Sequence, residues 1–269
     1  MKRYRIALAY EGTYFSGWQK QPNGLSIQTL VEKALTTILR TPAYLTASGR
    51  TDRGVHALEQ IAHFTVPITI DTARLIYSAN ALLPKDIRLL ECIEVDLSFH
   101  ARYSALSKEY HYYLISLPHL SPFRRNFALH FPYSLDLSLM RSATLHFVGT
   151  RDFTSFANEA ARGSAAKNAV RTLKRIDLFE EEEGIRLEFE GDGFLYKMVR
   201  NIVGTLLEVG RHKLSLEEIP SIFRAKDRRR APNAAPPQGL FLVKVYYTGD
   251  TGNLYQFELE PVYTSNEGK

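Results

Sequence analysis

The chain has 269 residues, 45% of them hydrophobic and 23% charged, a composition typical of a globular, soluble protein. Its single cysteine, Cys92, excludes an internal disulfide and suits a reducing cytoplasm. No apolar run is long enough to span a bilayer, the start of the chain lacks the cleavage site of a signal peptide, and the net charge of +5 favours nucleic acid over a membrane surface as partner. We therefore expect a cytoplasmic protein.

The first 105 residues alternate between strand and helix patterns. Side chains alternate between apolar and polar along residues 5–10, whereas apolar residues recur every three or four positions after Ser26. These patterns predict a strand over residues 5–10, a glycine-rich loop over 11–19, a helix from Ser26 to about Arg40, a strand over 61–66, a helix capped by Asp71 that stops at Pro84, and a strand over 87–95.

The same alternation recurs in residues 106–250. It predicts an aromatic strand over residues 107–117, a helix over 136–147, a hairpin of strands over 172–179 and 185–190, a helix from about Leu195 that ends at Gly210, a helix over 216–224 and a closing strand over 240–247. Residues 251–269 are predicted to be a loosely held tail.

Two α/β halves, residues 1–105 and 106–250, follow from this order of elements. Adjacent hairpins with intervening helices indicate an α+β fold with a mixed, largely antiparallel sheet and helices on one side. A doubly wound parallel sheet is not expected.

The segment Gly49-Arg50-Thr51-Asp52-Arg53-Gly54 places a carboxylate between two arginines in a loop bounded by glycines. One interpretation is a plain turn, in which Asp52 bonds nearby backbone amides and the arginines face water. The other is an aspartate kept ionised by guanidinium charge, with a pKa lowered by about 1–3 units if the arginines lie close. Such a carboxylate can act as a nucleophile at a sugar or base carbon.

Other candidate residues have equally plain alternatives. Tyr110, Tyr112 and Tyr113 are ordinary strand residues, unless one of them, near Lys108 and His111, stacks on a nucleobase. Arg200 lies near the first turn of its helix, where a cation is unfavourable against the helix dipole, which hints at an anionic partner. The basic stretch over residues 226–230 is either a solvated face or a phosphate contact.

Known cofactor and metal motifs are missing from the sequence. There is no phosphate-binding glycine loop ending in Lys-Ser or Lys-Thr, no dinucleotide fingerprint after a strand, and no Cys/His cluster at metal spacing. We therefore predict chemistry that needs no bound cofactor or metal.

Five segments carry a resemblance to a known family. They are Gly49-Arg50-Thr51-Asp52-x-Gly54-Val55-His56-Ala57, Glu11-Gly12-Thr13 with Phe15-x-Gly17-Trp18-Gln19, Lys108-x-Tyr110, Asp152-Phe153-Thr154-Ser155-Phe156, and Met198-Val199-Arg200-Asn201. In this order they resemble the TruA family of tRNA pseudouridine synthases over about residues 4–247. Arg53 stands where that family usually has a small residue, and Glu11 replaces its commoner aspartate.

The resemblance implies a pseudouridine synthase fold with an active-site cleft between the two halves. It implies isomerisation of uridine at positions 38, 39 and 40 in the anticodon stem-loop of tRNA, by a homodimer without cofactor or metal. It also implies roles for six residues: Asp52 as the nucleophile at C6 of the base or C1′ of the sugar, Arg200 as its ion-pair partner, Tyr110 stacked on the target base, Arg50 entering the base stack, and Lys108 and Leu240 as further substrate-binding residues.

Two other functions compete with this hypothesis. A non-catalytic RNA-binding protein would expose aromatic residues on an open sheet. An N-glycosidase or glycoside hydrolase would need a second carboxyl group, which no residue near Asp52 in sequence supplies.

Overall fold

The computed structural model describes residues 1–158 and 168–249, so the predicted tail over 251–269 lies outside the described residues. The described ranges form ten strands, namely β1 (Lys2–Tyr10), β2 (Thr46–Ala47), β3 (His56–Val66), β4 (Ile87–Val95), β5 (Ser107–Ile115), β6 (Leu129–His130), β7 (Gly149–Asp152), β8 (Val170–Glu181), β9 (Gly184–Gly191) and β10 (Leu240–Tyr246). They also form five α-helices, namely α1 (Ile27–Leu39), α2 (Thr72–Leu82), α3 (Leu137–Thr144), α4 (Met198–Gly210) and α5 (Glu218–Ala225).

Side-chain caps set the starts of three helices. Ser26 accepts a hydrogen bond from the amide of Thr29 at the start of α1, and Asp71 accepts one from Arg74 at the start of α2. Asp136 does the same for α3. Each cap satisfies an amide that has no partner within the helix, which is why these polar residues precede the apolar stripes. The predicted starts of α1 and α2 are therefore confirmed.

Several predicted boundaries are wrong, and two of these errors bear on the site. β3 begins at His56 instead of Ile61, so the strand starts directly after the segment that carries Asp52. α4 begins at Met198 instead of about Leu195, because Lys197 takes a left-handed backbone conformation with φ of 59° and ends the preceding turn. The later start places Arg200 in the first turn of α4.

All ten strands belong to one sheet with the order β4-β1-β3-β10-β5-β9-β8-β7, to which β2 and β6 are attached through β3 and β5. The pairs are antiparallel except β10 with β3 and β6 with β5. The prediction of a mixed, largely antiparallel sheet is therefore confirmed, and with it the α+β class.

The last strand of the described ranges, β10, lies in the middle of the sheet. Phe241 and Leu242 of β10 pair with His56 and Ala57 of β3 on one side, and β10 pairs with β5 on the other. Strands of the first 105 residues thus lie on one side of β10 and strands of the later residues on the other. One large apolar core continues across both parts, with a second, smaller cluster around Phe241.

In the described ranges, no helix has both the length and the apolar character that crossing a membrane requires.

Candidate active site

Asp52 lies in the segment between β2 and β3, residues 48–55, which we call the Asp52 loop. Its carboxylate oxygen Oδ2 is 3.2 Å from Nη1 of Arg200, although 148 positions separate the two residues in the chain. The Asp52 and Arg200 side chains are 17% and 11% exposed, so the ion pair is largely withdrawn from water. The fold therefore brings together the two residues that the resemblance pairs.

A second contact fixes the direction of the Arg200 guanidinium. Its Nε donates to the carbonyl oxygen of Ala235 at 2.7 Å, and the amide of Ala235 donates back to the carbonyl of Arg200 at 2.9 Å. Ala235 belongs to residues 231–237, which we call the proline-rich loop. Arg228 holds this loop to α4, since its Nη2 donates to Asn201 Oδ1 and to the carbonyl of Pro232, both at 2.8 Å.

The charge environment of Asp52 differs from the one predicted. Burial raises the pKa of Asp52, and the charges of Arg200 and Lys197 oppose that rise without cancelling it. Arg50 and Arg53 are exposed, and neither contributes to the shift. The prediction of a pKa lowered by the flanking arginines is wrong, because removal from water costs the carboxylate more than those solvated cations return.

The Asp52 loop packs closely on residues 11–19, which we call the N-terminal loop. A Cβ on Gly12 would lie 2.0 Å from the carbonyl oxygen of Val55, and one on Gly17, whose φ is 89°, would lie 2.6 Å from that of Thr51. The backbone amide of Trp18 donates to the carbonyl oxygen of Thr51 at 3.1 Å. Both glycines are thus required by the approach of the two loops.

His56 connects the same two loops. Its Nδ1 accepts from the amide of Gly12 at 3.0 Å, and its Nε2 lies 2.8 Å from the carbonyl oxygen of Asn126. Burial lowers the pKa of His56 to about 4, so the ring is neutral near pH 7, with Nε2 as the donor. His56 belongs to the motif around Asp52, but the sequence analysis assigned it no role.

The three tyrosines of β5 are all buried, at 7% exposure for Tyr110, 0% for Tyr112 and 6% for Tyr113. The Tyr110 ring meets Phe194 edge to face with centroids 4.9 Å apart, and burial is the main cause of a raised Tyr110 pKa, to which the charge of Asp52 also contributes. The charge of the Asp52 carboxylate therefore reaches Tyr110. An open sheet face with exposed aromatics, which the binding-only function requires, is not formed by these residues.

The remaining predicted residues lie around this centre in different settings. Lys108 donates from Nζ to the carbonyl of Ser48 at 2.5 Å, and burial, followed by the charges of Arg102 and Arg171, lowers its pKa to about 8. Leu240 opens β10 and is 5% exposed. Arg50 faces solvent.

The hydrolase function would need a second acid close to Asp52. Among the described residues, the charged groups that shift the pKa of Asp52 are cations, and no carboxyl group is among them.

Lys197, one of these cations, was missed by the sequence reasoning. Its position three residues before Arg200, at the start of the same helix, was the available signal.

A separate group of ionisable residues lies on β5 and β9. One ligand atom each of Glu109, His111 and Glu188 lies within 4.8 Å of the others, close enough to hold a metal ion. Arg175 already pairs with both carboxylates, at 2.9 Å to Glu109 and 2.8 Å to Glu188, and Arg186 pairs with Glu188 as well. Arginine guanidinium groups thus already neutralise the carboxylates that a metal ion would need as ligands.

Comparison with known proteins gives consistent matches over most of the chain. A family model described as tRNA pseudouridine synthase matches residues 6–104 and 143–248, ranges that include Asp52, Arg200 and Leu240 but leave Lys108 and Tyr110 between them. The tRNA pseudouridine synthase A 1 of Protochlamydia amoebophila (strain UWE25) is 54% identical over 94% of this chain and 100% of that protein.

Two further relatives agree with this match. The tRNA pseudouridine synthase A of Chlamydia felis (strain Fe/C-56) is 44% identical over 92% of both chains. That of Bacillus subtilis (strain 168) is 42% identical over 91% of this chain and 99% of the relative.

Proposed function

The chain belongs to the tRNA pseudouridine synthase family and is an isomerase, and from this premise we propose that Asp52 is the nucleophile that converts uridine to pseudouridine in tRNA. The observation that carries the proposal is the largely buried Asp52–Arg200 ion pair, whose carboxylate charge reaches Tyr110. A carboxylate held by one guanidinium and shielded from water keeps its charge and loses much of its hydration, which suits it to attack carbon.

The reaction exchanges one glycosidic bond for another. Asp52 attacks either C6 of the base or C1′ of the sugar, and the C1′–N1 bond breaks. The freed uracil turns so that C5 faces C1′ and the C1′–C5 bond forms. The bond that Asp52 made to C6 or C1′ breaks and returns the carboxylate, while C5 loses its proton and N1 gains one. Because the product is an isomer of the substrate, a nucleophile and a pocket that holds the base account for every atom.

Tyr110 fits the role of a stacking surface better than that of a base. Because burial raises its pKa, the phenol stays protonated near pH 7 and cannot readily accept the C5 proton. Stacking of a nucleobase on an aromatic ring contributes about 1–3 kcal/mol, which offsets part of the cost of taking a uridine out of its stack.

Arg50 is the proposed residue that enters the stack as the uridine leaves it, since it is exposed two positions before Asp52. Lys108 and Leu240 are proposed as further substrate-binding residues. Lys108 reaches the Asp52 loop at Ser48, and Leu240 pairs with Tyr112 on the strand that carries Tyr110.

The proposed targets are uridines 38, 39 and 40 in the anticodon stem-loop, modified in the cytoplasm by a homodimer. The support for these finer points is the resemblance of the five motifs to the TruA family. The net charge of +5 agrees with a polyanionic substrate.

The experiment measures tritium release from tRNA labelled at uracil C5, with purified protein and no added cofactor. We expect release by the wild-type protein and none by Asp52→Asn, with tRNA binding changed less than about twofold because the isosteric amide keeps the shape of the site. Asp71→Asn is the matched control, because asparagine caps α2 as well as aspartate does, and its release should equal the wild-type rate.

Substantial turnover by Asp52→Asn would remove Asp52 from the mechanism. Replacement of uridines 38, 39 and 40 by cytidine should abolish release, and continued release from that tRNA would place the targets elsewhere.

A further inference from the structure

The Asp52 loop exposes and buries its residues in turn. Ser48 and Thr51 are 0% and 6% exposed, whereas Arg50 and Arg53 face solvent. The buried members bring polar groups into a region without water, where each such group is costly unless it finds a hydrogen-bond partner. The hydrogen-bond partners of these buried polar groups therefore also determine the backbone path of the Asp52 loop.

Gln60, on β3, supplies most of those partners. Its Oε1 accepts from the hydroxyl of Ser48 at 2.8 Å, and its Nε2 donates to the carbonyl of Gly49 at 3.0 Å. The same Nε2 lies 3.4 Å from the hydroxyl of Tyr10. Gln60 itself is 0% exposed, so one buried carboxamide binds two successive residues of the loop.

Tyr10 continues the network to the residue next to Asp52. Its hydroxyl is 2.8 Å from Oγ1 of Thr51, and its own exposure is 4%. Ser48, Gly49 and Thr51 are thus each held by a side chain of β1 or β3, and Asp52 follows immediately.

Substitution of Gln60 has consequences for both loop residues. An apolar side chain of similar size would leave the Ser48 hydroxyl and the Gly49 carbonyl without these partners inside the protein. The loop would then move to reach water, and the carboxylate of Asp52 would move with it, because only two residues lie between Gly49 and Asp52.

We propose that Gln60 is a positioning residue for the reaction, whose carboxamide fixes the Asp52 loop at Ser48 and Gly49 and so sets the direction in which Asp52 meets the uridine. This inference rests on the proposed role of Asp52 as nucleophile. Gln60 acts through its hydrogen bonds to Ser48 and Gly49 and so through the backbone of the loop.

The test compares kcat and KM of tritium release for Gln60→Met and Gln60→Glu with the wild-type protein. For Gln60→Met we expect kcat to fall about 10–100-fold with KM changed less than about twofold, the result of a nucleophile misplaced by a fraction of an ångström to one ångström. Gln60→Glu keeps the acceptor for Ser48 and loses the donor to Gly49. Its kcat should therefore lie between the kcat of the wild-type protein and that of Gln60→Met.

Ile61→Val is the matched control. Ile61 is the next residue of β3, 1% exposed, and its side chain points to the other face of the sheet, so the change weakens the same strand without removing a bond to the loop. Its kcat should equal that of the wild-type protein at temperatures well below its melting point.

Three results would overturn the inference. They are a wild-type kcat for Gln60→Met, a loss shared equally by kcat and the binding of tRNA, and a loss that Ile61→Val reproduces. Asp52→Asn is measured in parallel, and its turnover would contradict the proposed nucleophile itself, which separates failure of that proposal from failure of the one for Gln60.

Discussion

At the scale of single residues, the charge of Asp52 depends on two opposing effects. Burial favours the protonated acid, whereas Arg200 and Lys197 favour the carboxylate, and burial is the larger effect. A carboxylate with a raised pKa is more basic and more nucleophilic than an ordinary carboxylate, provided that a neighbouring cation still keeps it ionised. Arg200, bonded at 3.2 Å, is the cation best placed to do so.

Arg200→Ala should therefore move the acid limb of the activity profile to higher pH. Asp52 reacts as the anion, so activity rises as the pH passes its pKa; loss of a cation that lowers this pKa moves the rise upward. We expect a larger loss of kcat at pH 6 than at pH 8, measured as tritium release at both values.

Arg224→Ala is the control for this prediction, because Arg224 is exposed on α5, where its Nη2 donates to the hydroxyl of Ser221 at 2.8 Å. Equal losses at pH 6 and pH 8 for Arg200→Ala would mean that the arginine positions a group without influencing the ionisation of Asp52.

At the scale of elements, α4 and the proline-rich loop act as one unit. A Cβ on Gly204 would lie 1.9 Å from the carbonyl oxygen of Asn233, so the loop can approach α4 only at a glycine. This approach brings the carbonyl of Ala235 to Arg200 Nε. A cation in the first turn of a helix is unfavourable by about 0.3–1 kcal/mol, and Asp52 together with that carbonyl compensates for it here.

Gly204→Ala should lower both stability and activity. In an unobstructed helix the same change stabilises by about 0.5–1 kcal/mol, but here the methyl group collides with backbone, so we expect a loss of about 1–3 kcal/mol. Displacement of Ala235 should release Arg200 and reduce kcat. Urea unfolding and tritium release measure the two effects.

Gly210→Ala on the same helix is the matched control. Its new methyl group would meet the flexible side chain of Met140 at 2.7 Å, far from the proline-rich loop. It should cost stability while kcat stays at the wild-type value. If Gly204→Ala also left kcat unchanged, the orientation of Arg200 would not depend on this loop.

At the scale of the whole molecule, β10 binds the two halves together. It pairs with β3 and with β5, and Leu242, which is 0% exposed, lies in the large core that both halves share. The sheet is therefore continuous only when β10 lies between β3 and β5, and we propose that residues 1–105 and 106–250 are halves of one cooperative unit.

Unfolding in urea should accordingly show one transition. Trp18 is the only tryptophan and is buried, so its fluorescence reports on the first half, while far-ultraviolet circular dichroism reports on both. The two midpoints should coincide in the wild-type protein. Leu242→Ala should lower the free energy of unfolding by about 2–5 kcal/mol and keep them coincident.

Leu106→Ala, at a side chain that is 56% exposed, is the control and should change the stability little. Midpoints that separate in Leu242→Ala would mean that the halves fold independently.

Local chemistry was enough for most elements and for the motif residues. Alternation, helical spacing and the caps Ser26 and Asp71 identify strands and helices, because side-chain periodicity and the capping of free amides act within a few residues. The motif around Asp52 likewise identifies the candidate nucleophile. The sequence missed the start of α4, since the left-handed conformation of Lys197 carries no signature in that residue type.

Only the tertiary structure decided what surrounds Asp52. The resemblance implied the ion pair between Asp52 and Arg200, but no local pattern connects residues 148 positions apart, and Ala235 orients Arg200 through a backbone carbonyl that any residue would offer. The direction of the Asp52 pKa shift is also set by the folded structure, because it depends on how much water burial removes and on which cations lie near the carboxylate. Distance and hydration are properties of the folded chain, and no spacing along the sequence contains them.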